Sequence, residues 1–207
     1  INSGNANACT GKVGMRNAKD YITALSNKLG CKSDNVLIFS TGIIGQQLPI
    51  KRVIASINKC EFKFSSSLKK ASKAIMTTDR YEKWIVRKFK MSGIDVEIRG
   101  LCKGAGMIEP NMATMLAFVF IDIKATTKII GQILQNCAAE SFNKISVDGD
   151  MSTNDSVALV ATGLNSIDLK NKRNYKIVEQ NIQSVFSQLA HMIVSDGEGA
   201  TKVCKVS

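Results

Sequence analysis

The chain has 207 residues, 44% of them hydrophobic and 22% charged, with 28 Lys+Arg against 17 Asp+Glu for a formal net charge of +11. That balance is globular rather than disordered, and two prolines with fifteen glycines exclude collagen-like or proline-rich low complexity. The longest unbroken apolar run, Met115 to Ile121, falls far short of the ~20 residues a membrane helix needs, so no membrane partner is expected.

In chain order, Met15, Ala18, Ile22, Leu25 and Leu29 have helical spacing and predict a helix over 14–30, closed by Gly30. Val36 to Phe39 reads as a short buried strand running into the glycine-punctuated turn Ser40-Thr41-Gly42-Ile43-Ile44-Gly45. Pro49 is placed to open the next helix at its first position. Residues 67–75 read as a further helix that ends before Thr77-Thr78-Asp79. Trp84–Met91 and Ile94–Leu101, rich in β-branched and aromatic residues, form a hairpin pattern around Ser92-Gly93. After a glycine-rich loop, Met115–Ile121 is apolar at every position, which predicts a strand covered on both sides.

Thr126 or Thr127 is expected to cap a helix running to about Phe142, with Ile130, Ile133, Leu134 and Cys137 on one stripe. Ile145–Val147 and Val157–Val160 bracket a loop of Asp, Ser, Thr and Asn, and a last amphipathic helix, Tyr175–Val194, stops at Ser195-Asp196-Gly197. Strands mixed with helices, a hairpin among them, give an α/β class with sheets covered by helices.

The opening Ile1-Asn2-Ser3-Gly4-Asn5-Ala6 lacks the charged and apolar regions of a signal peptide and does not read as a natural start, so a fragment or processed chain is expected. Cysteines at 9, 31, 60, 102, 137 and 204 form no CxxC pair, and reduced cytosolic thiols are expected rather than a disulfide set or a zinc site. The basic excess lies within residues 1–113, at +11, whereas residues 114–207 sum to zero. Nucleic acid is the sharp reading of such a bias, but lysines outnumber arginines 22 to 6 and no nucleic-acid motif is present. Attraction of small acidic substrates, or solubility, accounts for the charge better.

Most familiar chemistries fail on inspection. The single histidine, His191, lies inside the last helix beside an apolar stripe and reads as an ordinary helical residue, not a triad member. Asp148-Gly149-Asp150-Met151-Ser152 begins like a calcium loop, but Thr153 stands at the turn-glycine position and Leu159 at that of the bidentate Glu. Gly104-Ala105-Gly106 and Gly197-Glu198-Gly199 complete no phosphate-binding fingerprint. An enzyme without a useful histidine must find its base elsewhere. A free α-amino group, with an unperturbed pKa of about 7.7–8.0, serves when a Thr or Ser becomes a new N-terminus. Lys103 to Thr114, a polar loop delivering one threonine to the tip of the strand Met115–Ile121, has the layout this requires, although an uncleaved loop has the same layout.

The string KGAGMIEPNMATMLAF (103–118) resembles the self-cleavage segment of the ornithine acetyltransferase family, the bifunctional glutamate N-acetyltransferases of arginine biosynthesis. NSGNANACTG (2–11), STGIIGQQLP (40–49), AIMTTD (74–79), SFNKISVDGDMSTNDSV (141–157) and SDGEGATK (195–202) resemble family segments in the same order. Family members are roughly twice as long, and the chain resembles their middle half. The resemblance implies a layered α/β sandwich of mixed sheets covered by helices, of the self-processing N-terminal-nucleophile type. It implies cleavage between Ala113 and Thr114, making 1–113 part of an α chain and 114–207 part of a β chain, with Thr114 as acyl-accepting nucleophile.

Thr41 and Gly42 match the family's oxyanion hole, and Thr77, Lys103, Thr114 and Glu198 match its substrate contacts. The implied reaction moves an acetyl group from N-acetylornithine to glutamate, releasing ornithine and N-acetylglutamate, without metal or bound cofactor. Acetyl-CoA as an alternative donor is left open. The implied assembly is a cytoplasmic heterotetramer of α and β chains. Arg80 stands where many relatives carry a small polar residue, and the Asp148–Asp155 loop is given no catalytic role. The family's C-terminal Asn and Ser/Thr contacts have no counterpart before Ser207, so an incomplete pocket is expected. A self-processing aminopeptidase and a non-catalytic basic binding module are the alternative readings.

Overall fold

The hairpin forms as the sequence predicts, and a larger sheet grows from it. In the computed structural model, which describes residues 1–61, 67–109 and 115–206, β3 (Lys83–Met91) pairs antiparallel with β4 (Ile94–Lys103). Met91 faces Ile94, leaving Ser92 and Gly93 as a two-residue loop with φ of 52° and 78°. Positive φ at both positions is what a right-twisted tight hairpin needs, hence a glycine in one of them. β4 pairs antiparallel with β5 (Leu116–Ile123), and β5 pairs parallel with β6 (Ser156–Asn165), giving a mixed sheet in the order β3-β4-β5-β6.

A parallel pair needs a crossover, and α4 (Thr127–Ala139) provides it. Thr126 caps α4 by accepting the Ile129 N–H on its hydroxyl. The connection then passes through a 3-10 turn at Phe142–Lys144, and Ile145–Val147 forms no strand. Val147 instead donates its N–H to the Ile108 carbonyl at 2.8 Å, a single backbone tie rather than a ladder. α5 (Lys172–Ser195) follows, capped by Asn171, whose side chain accepts from the Arg173 and Asn174 N–H groups.

One face of this sheet meets α4 and α5. Val96, Ile98, Val119 and Ile121 from the strands join Ile133, Ile182, Val185, Phe186 and Leu189 from the helices in one buried cluster. Gly100 shows how closely α5 lies: a Cβ there would stand 2.9 Å from Leu189 Cδ1 and 3.0 Å from Val185 Cγ1. β5 is buried on both faces over Leu116, Ala117, Phe118 and Val119, as the apolar run predicts. Towards its C-terminal end the second face opens, and Phe120 and Asp122 line an open hollow with Lys88, Glu97 and Arg99.

Residues 1–67 make the other compact unit, and residues 68–207 hold the sheet just described. In the first unit β1 (Asn2–Asn5) pairs parallel with β2 (Ser40–Ile43), and α1 (Gly11–Leu29) packs with α2 (Ile50–Lys59). The strand expected at Val36–Phe39 is displaced to 40–43. Leu37 is 75% exposed, and it is Ser40 to Ile43 whose backbone meets β1. α1 starts at Gly11, three residues earlier than predicted, and ends at a left-handed Gly30 (φ 67°). Its buried positions are Gly14, Asn17, Tyr21 and Ser26, while Met15 and Leu29 are exposed. The small polar face wins because Asn7 and Thr10 close on it: Asn7 Nδ2 donates to the Gly14 carbonyl at 3.1 Å, and Thr10 Oγ1 to the Asn7 carbonyl at 3.1 Å.

α2 begins one residue after Pro49, and α3 (Leu68–Ala74), in the second unit, matches the helix predicted there and packs on β3 and β4. The mixed sheet with helices places the protein in the α/β class. Among the described residues, no helix is long and apolar enough to cross a membrane.

Candidate active site

At one end of the larger sheet the polar residues are buried rather than solvated. Lys83, the first residue of β3, is fully enclosed and donates from Nζ to Asp79 Oδ1 at 2.7 Å and to Asp196 Oδ2 at 2.6 Å. Burial acts against its charge, but the hydrogen bonds to Asp196 and Asp79 and their negative charges outweigh it, and its pKa stands above the ordinary lysine value. Asp196 caps the C-terminus of α5 and also accepts the Arg80 N–H and Nε–H, each at 2.9 Å, while Arg80 reaches the Ser195 carbonyl at 3.3 Å. Arg80 thus complements the negative end of α5.

Asp79 works on its other side as a backbone clamp. Oδ1 accepts the Gly104 N–H at 2.7 Å and Oδ2 the Thr77 N–H at 3.1 Å. Burial pushes its pKa up, but the Gly104 N–H, Lys83 and the Thr77 N–H together hold it below the usual carboxylate value. One carboxylate therefore fixes the two segments that carry Thr77 and Lys103.

Lys103 ends β4 and pairs with Leu116 at the head of β5, so it stands beside the strand that follows position 114. Only 2% exposed, its ammonium donates to Thr77 Oγ1 at 2.8 Å and lies 4.0 Å from Asp79 Oδ2. Burial depresses its pKa and the Lys83 charge adds to that, against the pull of Asp79, Asp155 and Glu198. Glu198 sits on the turn after α5. Its N–H donates to the Ala105 carbonyl at 2.7 Å, and its carboxylate would stand 3.0–3.1 Å from a Cβ at Gly106, so only glycine fits there without displacing it. Thr77 and Lys103 are thus joined directly, and the Glu198 turn is tied to the loop that follows Lys103.

Two further carboxylates brace the same loop. Asp148 accepts the Met107 N–H at 2.6 Å and the Ile108 N–H at 2.8 Å. Asp155 accepts the Met115 N–H at 2.8 Å, and burial pushes its pKa up to about 6 against the Met115 N–H, the Ser152 hydroxyl and the Lys103 charge. Asp79 and Asp196 lie inside quoted motif segments, yet nothing local marks them as buried. Asp196 and Lys83 are 113 positions apart, and no periodicity connects them.

Thr41 and Gly42 belong to the 1–67 unit, on β2, with Thr41 buried. Gly42 has φ 131°, and a Cβ there would stand 2.3 Å from the Gly4 carbonyl carbon, so its missing side chain is required by the close approach of β1. Ala113 and Thr114, the expected cleavage site and nucleophile, lie outside the described residues. His191 is exposed on α5 with Nε2 3.4 Å from Ser195 Oγ, an i,i+4 contact on the helix surface. Cys102 and Cys137 are buried free thiols, and burial pushes Cys137 up to about 12, which makes it an unreactive core residue.

The family model described as "ArgJ family" matches residues 1–207. Arginine biosynthesis bifunctional protein ArgJ, mitochondrial, of Dictyostelium discoideum is 45% identical over 209 residues, covering 100% of this chain and 47% of that protein. Arginine biosynthesis bifunctional protein ArgJ of Caldanaerobacter subterraneus is 40% identical over 210 residues (100% and 52%), and that of Chlorobium chlorochromatii 42% over 207 residues (100% and 48%). The chain spans about half the length of the curated relatives it matches. A crystal structure of arginine biosynthesis bifunctional protein argJ from Bacillus halodurans aligns with a TM-score of 0.50 and 35% identity, covering 54% of this chain and 59% of that one. With a match along its whole length, the chain belongs to the ArgJ family.

Proposed function

We propose that the chain carries the central part of an acetyltransferase of arginine biosynthesis that moves an acetyl group from N2-acetylornithine to glutamate. The precursor cleaves itself between Ala113 and Thr114, leaving 1–113 on an α chain and 114–207 on a β chain, and Thr114 becomes an N-terminal nucleophile. The observation that carries this reading is the buried Lys103 ammonium, held on Thr77 Oγ1 at 2.8 Å beside the head of β5. A cation excluded from water at that place favours a small anionic group, and a substrate α-carboxylate is one.

Thr114 Oγ attacks the acetyl carbonyl of N-acetylornithine while its proton passes to the α-amine of the same residue. Thr41 and Gly42 stabilise the tetrahedral oxyanion, a role in which each fixed donor is worth about 2.7–4 kcal/mol. The C–N bond then breaks, the proton goes to the departing amine, and ornithine leaves an acetyl ester on Thr114. Glutamate's amine attacks that ester by the reverse path, giving N-acetylglutamate and restoring the threonine. Lys103 takes the α-carboxylate of each amino acid and Glu198 its ammonium group, with Thr77 holding Lys103 in place. No metal or bound cofactor enters the scheme; acetyl-CoA fits it as an alternative acetyl donor. A cytoplasmic α/β heterotetramer completes the reading.

Intact-mass spectrometry of the protein in its full natural length tests the proposal. Two fragments meeting between Ala113 and Thr114 are expected, with cleavage and transfer both abolished by Thr114→Ala. Undivided protein with full transferase activity would falsify the mechanism.

A further inference from the structure

Asp79 has no part in the scheme above, yet it holds both partners of the Lys103–Thr77 contact. Its Oδ1 accepts the N–H of Gly104, the residue after Lys103, at 2.7 Å, and its Oδ2 accepts the Thr77 N–H at 3.1 Å. Thr77 Oγ1 in turn receives the Lys103 ammonium at 2.8 Å, which closes a ring of hydrogen bonds through the two segments. Inside that ring the ammonium stays 4.0 Å from Asp79 Oδ2, beyond hydrogen-bond reach. The buried Asp79 carboxylate is already engaged by another cation: Lys83 donates to Oδ1 at 2.7 Å, and Asp196 accepts from the same Lys83 at 2.6 Å. Without that cation, a carboxylate excluded from water attracts the nearest ammonium strongly, because solvent does not screen the pair.

We infer that Asp79 is a positioning residue for the Lys103 ammonium: it fixes the hydroxyl on which the ammonium rests, and Lys83 keeps it from drawing the ammonium into direct contact. The inference rests on the proposed function, in which Lys103 receives the α-carboxylate of each amino acid. An ammonium paired directly with Asp79 would meet that carboxylate with its charge already balanced and a like charge beside it. Held on the Thr77 hydroxyl, it meets the carboxylate with neither handicap. The charges around Lys103 act in both directions. After burial, which depresses its pKa, Asp79 acts most strongly and raises it, whereas Lys83 lowers it, and Asp155 before β6 and Glu198 after α5 raise it further. Arg80 stands behind these on Asp196, the second partner of Lys83.

The test uses the protein in its full natural length with its lysines isotopically labelled at the ε-carbon, the Lys103 resonance being assigned by its loss in Lys103→Met. The chemical shift of that resonance is followed against pH, and KM and kcat for glutamate and N-acetylornithine are measured beside it. Asp79→Asn keeps the size of the side chain and one acceptor and removes the charge. It is expected to move the Lys103 titration to lower pH and to raise both KM values ~10-fold, while kcat changes ~3-fold or less. Lys83→Met is expected to move the same titration to higher pH. Should a single variant not fold, the double variant, which removes one charge of each sign, is expected to titrate below the wild type, because Asp79 outweighs Lys83 at Lys103. A merely structural Asp79 predicts lower stability with the Lys103 titration unmoved. That outcome, or shifts in the same direction in Asp79→Asn and Lys83→Met, overturns the inference. Unchanged KM values in an Asp79→Asn protein that still transfers acetyl overturn it as well. Wild-type protein that transfers no acetyl overturns the proposed function alone, and the titration still decides Asp79.

Discussion

Lys83 and Lys103 are buried at the same end of one sheet, and their surroundings pull their charges in opposite directions. Lys83 faces two carboxylates at 2.6 and 2.7 Å, and its pKa is raised. Lys103, on the neighbouring strand and the opposite face, has the Thr77 hydroxyl at 2.8 Å and an Asp79 carboxylate oxygen at 4.0 Å; burial, with the Lys83 charge, lowers its pKa. The first arrangement is closed: with Arg80 also on Asp196, it joins the start of β3, the loop at Asp79 and the end of α5 into one unit of two cations and two carboxylates. The second, on the proposed function, gains from an arriving substrate carboxylate. Burial alone does not set the charge state of a lysine; the balance of charge around it does.

Removing the closed arrangement has the largest expected effect. Lys83→Met leaves the buried Asp79 and Asp196 without the cation they share, Asp196 keeping only Arg80, and loss of one partner from such a group costs about 3–5 kcal/mol. For a domain of this size that amounts to a fall in melting temperature of roughly 6–20 °C, read in a thermal scan. Lys103→Met is the counterpart. Stability is expected to change by ~1 kcal/mol or less, while on the proposed function kcat/KM of the full-length protein falls about 10- to 100-fold, mainly through KM for glutamate and N-acetylornithine. A destabilisation as large as that of Lys83→Met, with unchanged kinetics, would erase the distinction between the two. Arg80→Ala comes last. Its side chain is 61% exposed, and Asp196 keeps both Lys83 and the Arg80 N–H, so under ~1 kcal/mol is expected in a denaturant titration.

The two ends of the chain differ as much as the two lysines. Between Lys83 and Ile123 local pattern and final structure agree: the hairpin turns at Ser92-Gly93, and β5 is apolar because both of its faces are covered over 116–119. In residues 1–67 they part company. Met15 and Leu29, the ends of the apolar stripe, are left outside while Ala18, Ile22 and Leu25 are only half-buried, and the strand forms at 40–43 because β1, four residues with no hydrophobic pattern, supplies its pairing partner. Hydrophobic periodicity reports which face is buried only when the burying partner is itself apolar. An interface of Asn7, Thr10, Gly14 and Asn17 gives no such signal.

The candidate site divides along the same line. Thr77, Lys103 and Glu198 are legible because they lie in strings that resemble a family, and their types suit carboxylate and amine groups. Asp79, Lys83 and Asp196 are legible only as charged residues, and Asp155 stands in a loop that motif reasoning sets aside.

Sequence alone was enough for the α/β class, the long strands and helices of the second half, and the family, because each depends on residues close together in the chain or on ordered strings of them. Which charges leave water, and which carboxylate holds which backbone N–H, was decided only by tertiary structure. Desolvation and pairing act between groups brought from 40 to 113 positions apart, as at Met115 with Asp155 and Lys83 with Asp196, and only the folded chain brings those groups together.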